Sequence, residues 1–245
     1  MTKFLILVVL ILSGCASATT DKALPLSTFT SNSATYGTVI LLHGCVGPDL
    51  RQTKFAKLLT DNGFNAVILD SWAYRGVPYG VGPNSVCSTY SVRARDRRDD
   101  ELYKTVKWIK SQTWHTGPVS VIGWSHGGMV ALSAANNGPE YGIAKAVSFY
   151  PYCLPNTYNN PKIKVQLHIG KDDDWTPAKL CRNLYTESSN GKLFEYDNSY
   201  HAFDGNVRTS VPGIGEHGVS MRTIQPNDQA KELAYSRVIE FLKNE

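Results

Sequence analysis

Ser125, Asp173 and His201 are residue types that cooperate in nucleophilic catalysis, and each follows the end of an apolar run. Ser125 sits in Gly123-Trp124-Ser125-His126-Gly127, a G-x-S-x-G pattern between the apolar run 119–122 and a segment of small residues. A strand, a sharp turn and a helix in that order lift a serine hydroxyl above a sheet edge, and the helix N-terminus behind it favours negative charge. A hydroxyl is a weak nucleophile until an imidazole takes its proton, and the imidazole needs a carboxylate to hold its tautomer. His201 lies in Ser199-Tyr200-His201-Ala202-Phe203, and Asp173 in Gly170-Lys171-Asp172-Asp173-Asp174-Trp175-Thr176-Pro177. The chemistry this set supports is acyl transfer through a covalent serine intermediate. Each residue also has a plainer reading: an exposed turn serine, a helix-capping aspartate, a loop histidine. Their shared placement argues for the shared role.

Such residues converge only if the elements between them bring strand ends together. Apolar runs at 39–42, 66–69, 119–122, 144–149, 164–169 and 193–196 read as buried strands. Helical spacing or composition marks 51–62, 97–111, 127–136, 178–187 and 228–243. Strands alternating with helices predict one α/β domain around a mostly parallel sheet covered on both faces. Gaps of 48 residues from Ser125 to Asp173 and 28 to His201 each hold about one strand–helix unit, so all three fall at the C-terminal edge. Segments 71–96 and 203–227, rich in Gly and polar residues, read as long irregular loops near that edge, where ligands bind in such sheets.

Composition narrows the function classes. With 42% hydrophobic, 11% aromatic and 19% charged residues, the 245-residue chain is suited to a sizeable core and not to disorder. A formal charge of +4 gives no basis for nucleic-acid binding. No cysteine spacing suits a metal, and nothing implies a cofactor.

The N-terminus carries a separate signal. Lys3, the apolar run Phe4–Leu12 and the small residues Ser13-Gly14 describe a secretory signal peptide, too short to span a membrane as a helix. Leu12-Ser13-Gly14-Cys15 resembles the bacterial lipobox. That resemblance implies cleavage after residue 14, lipid on Cys15 and membrane attachment through it. With Ala16 following, it implies the periplasmic side of the bacterial cell envelope, at the outer membrane. The expected organisation is a signal peptide over 1–14, a lipidated tether over 15–36 with one short strand at its end, and a catalytic domain over 37–245. Four cysteines then remain, Cys45, Cys87, Cys153 and Cys181, and an oxidising compartment permits two disulfides among them.

Ser, then Asp, then His is the chain order of α/β hydrolases. From Val39 to Leu242 the chain resembles the dienelactone hydrolase family of that superfamily. The resemblance rests on Leu42-His43-Gly44-Cys45, Asp70-Ser71-Trp72 with Arg75-Gly76, the segment Gly123–Gly128, the segment Gly170–Pro177 and Tyr200-His201-Ala202-Phe203-Asp204. It implies an α/β-hydrolase fold and hydrolysis of a small-molecule acyl substrate. The family pattern selects Asp173 as the triad acid. Asp172 and Asp174 stay open, and at least one of them is expected to cap a helix beginning near Thr176. The backbone N–H groups of Cys45 and His126 are expected to form the oxyanion hole, with His43 tying down the loop by hydrogen bonds. Arg75 and Trp124 are expected substrate contacts, although Arg75 suits a structural ion pair equally. Cys153 and Cys181 are expected to bridge, and Cys45 and Cys87 to pair above the site. The arginines 93, 95, 97 and 98, interleaved with acids, read as a solvated helix start. One departure stands out: the family has Cys at the elbow where this chain has Ser125, which favours a general ester over a dienelactone. A peptidase or thioesterase uses the same triad, and a lipid-tethered envelope protein without catalysis is the alternative of a different kind.

Overall fold

The computed structural model describes residues 23–33, 36–77, 98–154, 161–182, 184, 190–215 and 218–244. Its strands are β1 (Leu26–Phe29), β2 (Thr38–Leu42), β3 (Asn65–Leu69), β4 (Val119–Trp124), β5 (Ile143–Phe149), β6 (Lys164–Gly170), β7 (Gly191–Tyr196), β8 (Thr209–Gly215) and β9 (Gly218–Ile224). Its helices are α1 (Leu50–Asp61), α2 (Ser71–Arg75), α3 (98–110), α4 (His126–Tyr141), α5 (Ala178–Arg182) and α6 (Asp228–Lys243). Seven strands form one sheet in the order β1-β3-β2-β4-β5-β6-β7, parallel except for β1. Every residue of β2, β3 and β4 is buried, which is why these strands read as unbroken apolar runs without alternation. Helix starts are specified locally. Asp49 and Gln52 form a capping box at α1, and the Asn227 side chain accepts the Ala230 N–H at α6.

Sheet register places the loops that matter. Leu42, at the end of β2, pairs with Gly123 of the neighbouring β4. The loop starting at His43 and the turn at Ser125 therefore leave the sheet side by side, on the line where the strand order diverges. Gly170 pairs with Tyr196, so the loops carrying Asp173 and His201 also leave together. The Asp172 N–H donates to the Ser199 carbonyl at 3.0 Å and ties those two loops.

The short strand expected at the end of the tether is β1, a four-residue, half-exposed edge strand that pairs antiparallel with β3. Two loop expectations need correcting. Segment 203–227 holds an antiparallel hairpin, β8–β9, where loop was expected. Its Gly and Pro content masked the strands. The segment from residue 71 begins as helix α2, capped by Asp70, whose Oδ1 accepts from Trp72 and Ala73 N–H. The rest of that segment, 78–97, lies outside the described residues, as does Cys15. Cys153 and Cys181 are disulfide-bonded as expected. Cys45 is also half of a disulfide, while Cys87 lies outside the described residues. Among the described residues no helix is long and apolar enough to cross a membrane, and no His, Cys, Asp or Glu cluster suits a metal ion.

One buried titratable group in the sheet sets a pH dependence. The His168 ring stacks between Phe149 and Phe194, at 4.9 and 5.2 Å between centroids. Burial first, and then the Arg237 charge, pull its pKa from 6.5 to about 3. In the unfolded chain this imidazole takes a proton below 6.5; in the folded chain it stays neutral. The unfolded state binds more protons across that window, so stability present above pH 6.5 is lost as pH falls toward 3. Denaturation midpoints of the wild type and His168→Phe between pH 7 and pH 4 test this. The variant is expected to lose less stability on acidification, and equal slopes would remove His168 from the account.

Candidate active site

The elbow at Ser125 is built from close backbone approach. Ser125 holds φ 53° and ψ −115°, a strained conformation for a non-glycine residue, at the N-cap of α4. Two flanking glycines make this possible. A Cβ on Gly123 would lie 2.0 Å from the Gly127 carbonyl oxygen, and one on Gly127 would lie 2.3 Å from that of Leu42. The first turn of α4 thus presses directly on the end of β2, and only the absence of side chains permits it.

The three sequence-predicted residues meet in one hydrogen-bonded line. His201 Nε2 lies 3.0 Å from Ser125 Oγ, and His201 Nδ1 lies 2.9 Å from Asp173 Oδ2. Asp173 and His201 are both buried. In the neutral tautomer that this arrangement favours, Nδ1–H donates to the carboxylate and Nε2 accepts from the serine hydroxyl. Asp173 Oδ1 faces the other way and accepts the N–H groups of Trp175 at 2.9 Å and Thr176 at 2.7 Å. Thr176 Oγ1 lies 2.9 Å from Oδ2, so the carboxylate has little freedom to turn.

Of the three adjacent aspartates, Asp173 is the one hydrogen-bonded to His201, and neither neighbour caps a helix at Thr176. Asp172 is exposed. Asp174 reaches across to the hairpin, where its carboxylate accepts the Thr223 N–H at 2.9 Å and the Thr223 hydroxyl at 2.8 Å. The Arg222 guanidinium donates to the Asp174 carbonyl. The hairpin closes one side of the site: Val211 and Ile224 line a cavity of about 160 Å³ together with Val46, Trp175, Ser125 and His201. Sequence reading missed this wall because β8 and β9 were not recognised.

Beside Ser125, the loop after β2 is rigidly held. The His43 ring is fully buried. Its Nε2 accepts the Ser71 N–H at 3.1 Å, which leaves Nδ1–H to donate to the Gly44 carbonyl at 2.7 Å. Burial, reinforced by the charge of Arg98, holds the His43 pKa well below its usual value, so the ring is neutral and is not a base. Cys45 lines the cavity, and its carbonyl accepts the Trp72 indole N–H at 2.9 Å.

The two expected substrate contacts are placed differently. Arg75 does not line the cavity. Its guanidinium pairs with Glu101 at 2.8 Å, the structural alternative, because α2 turns it toward the buried start of α3. Trp124 does line the cavity, with its indole N–H donating to Asp204 Oδ2 at 2.8 Å. Asp204, which carries no exposed side-chain surface, also accepts from Tyr150 at 2.7 Å, Tyr235 at 3.1 Å and Arg51 at 3.2 Å. Burial and the Asp204 charge raise the pKa of both tyrosines well above 10, so each phenol is a donor. Arg51, Tyr150 and Tyr235 gave no sequence signal, because their common partner is distant along the chain. The expected solvated arginine cluster also fails at Arg98, which is fully buried beside the His43 loop; residues 93, 95 and 97 lie outside the described residues.

The profile of the dienelactone hydrolase family matches residues 26–245. A candidate dienelactone hydrolase from Klebsiella pneumoniae subsp. pneumoniae has 13% identity and a TM-score of 0.73, covering 91% of this chain and 93% of its own. A dienelactone hydrolase-like promiscuous phosphotriesterase from metagenomic libraries has 18% identity and a TM-score of 0.65, covering 89% and 97%. A monoacylglycerol lipase from Paleococcus ferrophilus has 14% identity and a TM-score of 0.64, covering 90% and 98%. The fold is that of α/β hydrolases. No curated protein matches the chain.

The Asp174 contacts predict how the hairpin is held. Hydrogen bonds to a charged acceptor contribute about 1.5–3 kcal/mol each. Asp174→Ala should therefore speed amide exchange across residues 209–224 by roughly 10- to 100-fold while leaving β4–β7 protected. Exchange followed by mass spectrometry reads this, and an unaltered hairpin would place its anchor elsewhere.

Proposed function

As a member of the dienelactone hydrolase family this protein is a hydrolase of ester bonds, and we propose that it works through Ser125, His201 and Asp173 by way of an acyl-enzyme. The observation that carries this reading is the unbroken line from Asp173 through His201 to the strained Ser125. As Ser125 Oγ attacks the acyl carbon, its proton passes to His201 Nε2, and Asp173 stays ionised to stabilise the imidazolium. Collapse of the tetrahedral species expels the alcohol, which takes the proton from His201. Water then attacks the acyl-enzyme with His201 again as base, releasing the acid and restoring the serine. The N–H groups of Cys45 and His126 receive the oxyanion, supported by their position on the two backbone segments that flank Ser125. The walls at Val46, Trp175, Val211 and Ile224 suit an uncharged, short acyl group. Arg75 is occupied by Glu101, which gives no reason to invoke a substrate carboxylate there.

The N-terminal segment extends the proposal to location. Cys15 is lipidated after cleavage, which tethers the catalytic domain on the periplasmic side of the envelope, at the outer membrane. The supporting observation is the sequence Leu12-Ser13-Gly14-Cys15 behind an apolar run.

Two measurements test these readings. A fluorophosphonate should add its mass to the peptide containing Ser125 in folded protein, and Ser125→Ala should lower ester turnover by at least about 10³-fold. Folded wild-type protein that resists labelling would overturn the serine mechanism. Separately, Cys15→Ala should move the protein from the membrane to the soluble fraction, and a variant that stays membrane-bound would overturn lipid anchoring.

A further inference from the structure

Sealing a guanidinium away from water is costly, and proteins usually offset that with a carboxylate partner. Arg98, at the start of the described part of α3, is fully buried, yet no carboxylate among the described residues lies within ion-pair distance of it. Glu101, one turn along α3, takes Arg75 instead. The three hydrogen bonds of Arg98 to described residues go to uncharged groups on other elements. Nη2 donates to the His43 carbonyl at 2.8 Å, Nη1 to His126 Nδ1 at 2.8 Å, and Nε to Ser71 Oγ at 3.1 Å. Its guanidinium carbon stands 5.2 Å from the centroid of the Trp72 ring, whose face partly compensates the charge.

We propose that Arg98 is a positioning residue for the oxyanion hole, holding the loop after β2 and the first residue of α4 in one fixed relation. This inference rests on the serine-hydrolase reading above. The Arg98 fork holds the carbonyl of the His43–Gly44 peptide, and the His43 ring holds the carbonyl of the next peptide, Gly44–Cys45. In a trans peptide the N–H points opposite to its carbonyl. With the Gly44 carbonyl drawn to the His43 ring, the Cys45 N–H is turned to the opposite side of that peptide. A flip of this peptide would break the His43 bond.

On the other flank, an arginine can only donate, so His126 Nδ1 must be the acceptor and its imidazole is neutral. The guanidinium thereby ties the residue whose backbone N–H is the second proposed donor. Planarity makes the device specific. Two donors in a rigid fork fix a distance between two partners, and the ammonium of lysine has no such geometry. Ser71 completes the arrangement, since its hydroxyl accepts from Arg98 while its N–H donates to His43.

Arg98→Lys and Arg98→Met test this in the full protein, with steady-state turnover of p-nitrophenyl acetate, affinity for a boronic acid that forms a tetrahedral adduct, and thermal unfolding. Removing one oxyanion donor outright costs about 10²–10³ in kcat, so a donor left in place but misaligned should cost roughly 10- to 100-fold. The expected result for Arg98→Lys is that loss in kcat, with KM within about threefold and boronate affinity reduced by a similar factor. Arg98→Met should lose more than Arg98→Lys. A merely structural role would lower the unfolding temperature without this split. If both variants fail to fold, Ser71→Ala replaces them and should reduce kcat by several-fold at unchanged KM. Folded variants with wild-type kcat, or with kcat reduced while boronate affinity is retained, overturn the proposal. Fluorophosphonate labelling of the wild type decides the underlying reading independently: a labelled Ser125 with an indifferent Arg98 overturns this inference alone.

Discussion

The buried carboxylate of Asp204 is the interaction on which the site's geometry most depends. It stands three residues beyond His201 and accepts hydrogen bonds from Trp124 on β4, Tyr150 after β5, Tyr235 on α6 and Arg51 on α1. An unpaired carboxylate there would cost far more to bury than any one of these bonds returns. The cluster is therefore satisfied as a whole or not at all, and it draws four separate elements toward the loop that carries His201. His201 is consequently placed by a network, with Tyr150 and Trp175 packed against its ring at 4.7 and 4.9 Å.

A second constraint acts on the serine side. Register fixes Leu42 opposite Gly123, and the glycines at 123 and 127 let α4 press on the end of β2. Close approach alone does not orient peptide groups, because a loop peptide can rotate about its flanking bonds at little cost. The carbonyls of His43 and Gly44 are each engaged by a buried donor, which removes that freedom. The two constraints divide the work: Asp204 sets where His201 stands, while the His43 and Arg98 contacts set how the backbone beside Ser125 is turned.

Legibility in the sequence followed the range of the interaction. The strands β2 to β7 were readable because burial on a parallel sheet writes continuous apolar runs, and α1 and α6 because their apolar residues recur at helical spacing. Ser125 and His201 were readable because each follows a strand end within a short motif. Asp173 needed the family pattern, since Asp172 and Asp174 carry the same chemistry. β1 was legible only as a short strand at the end of the tether, because an edge strand of four half-exposed residues has little pattern. The hairpin escaped because Gly213 sits where it must admit Trp175, and glycine in a strand reads as loop. Arg98 was misread because charged neighbours on a helix normally mean solvent, and nothing local records that His43, Ser71 and His126 would surround it.

The amino-acid sequence by itself therefore determined the alternating α/β chain, the turn at Ser125, and the chain order serine, aspartate, histidine. These depend on contacts within a motif or on burial that every residue of an element shares. Tertiary structure alone decided which aspartate pairs with His201, that Arg98 is sealed from solvent, and how the loop peptide beside Ser125 is turned. Each of those outcomes is set by partners from other elements. Hydrogen bonding and burial act through space, and the residues that satisfy a buried group leave no mark at its own position in the chain.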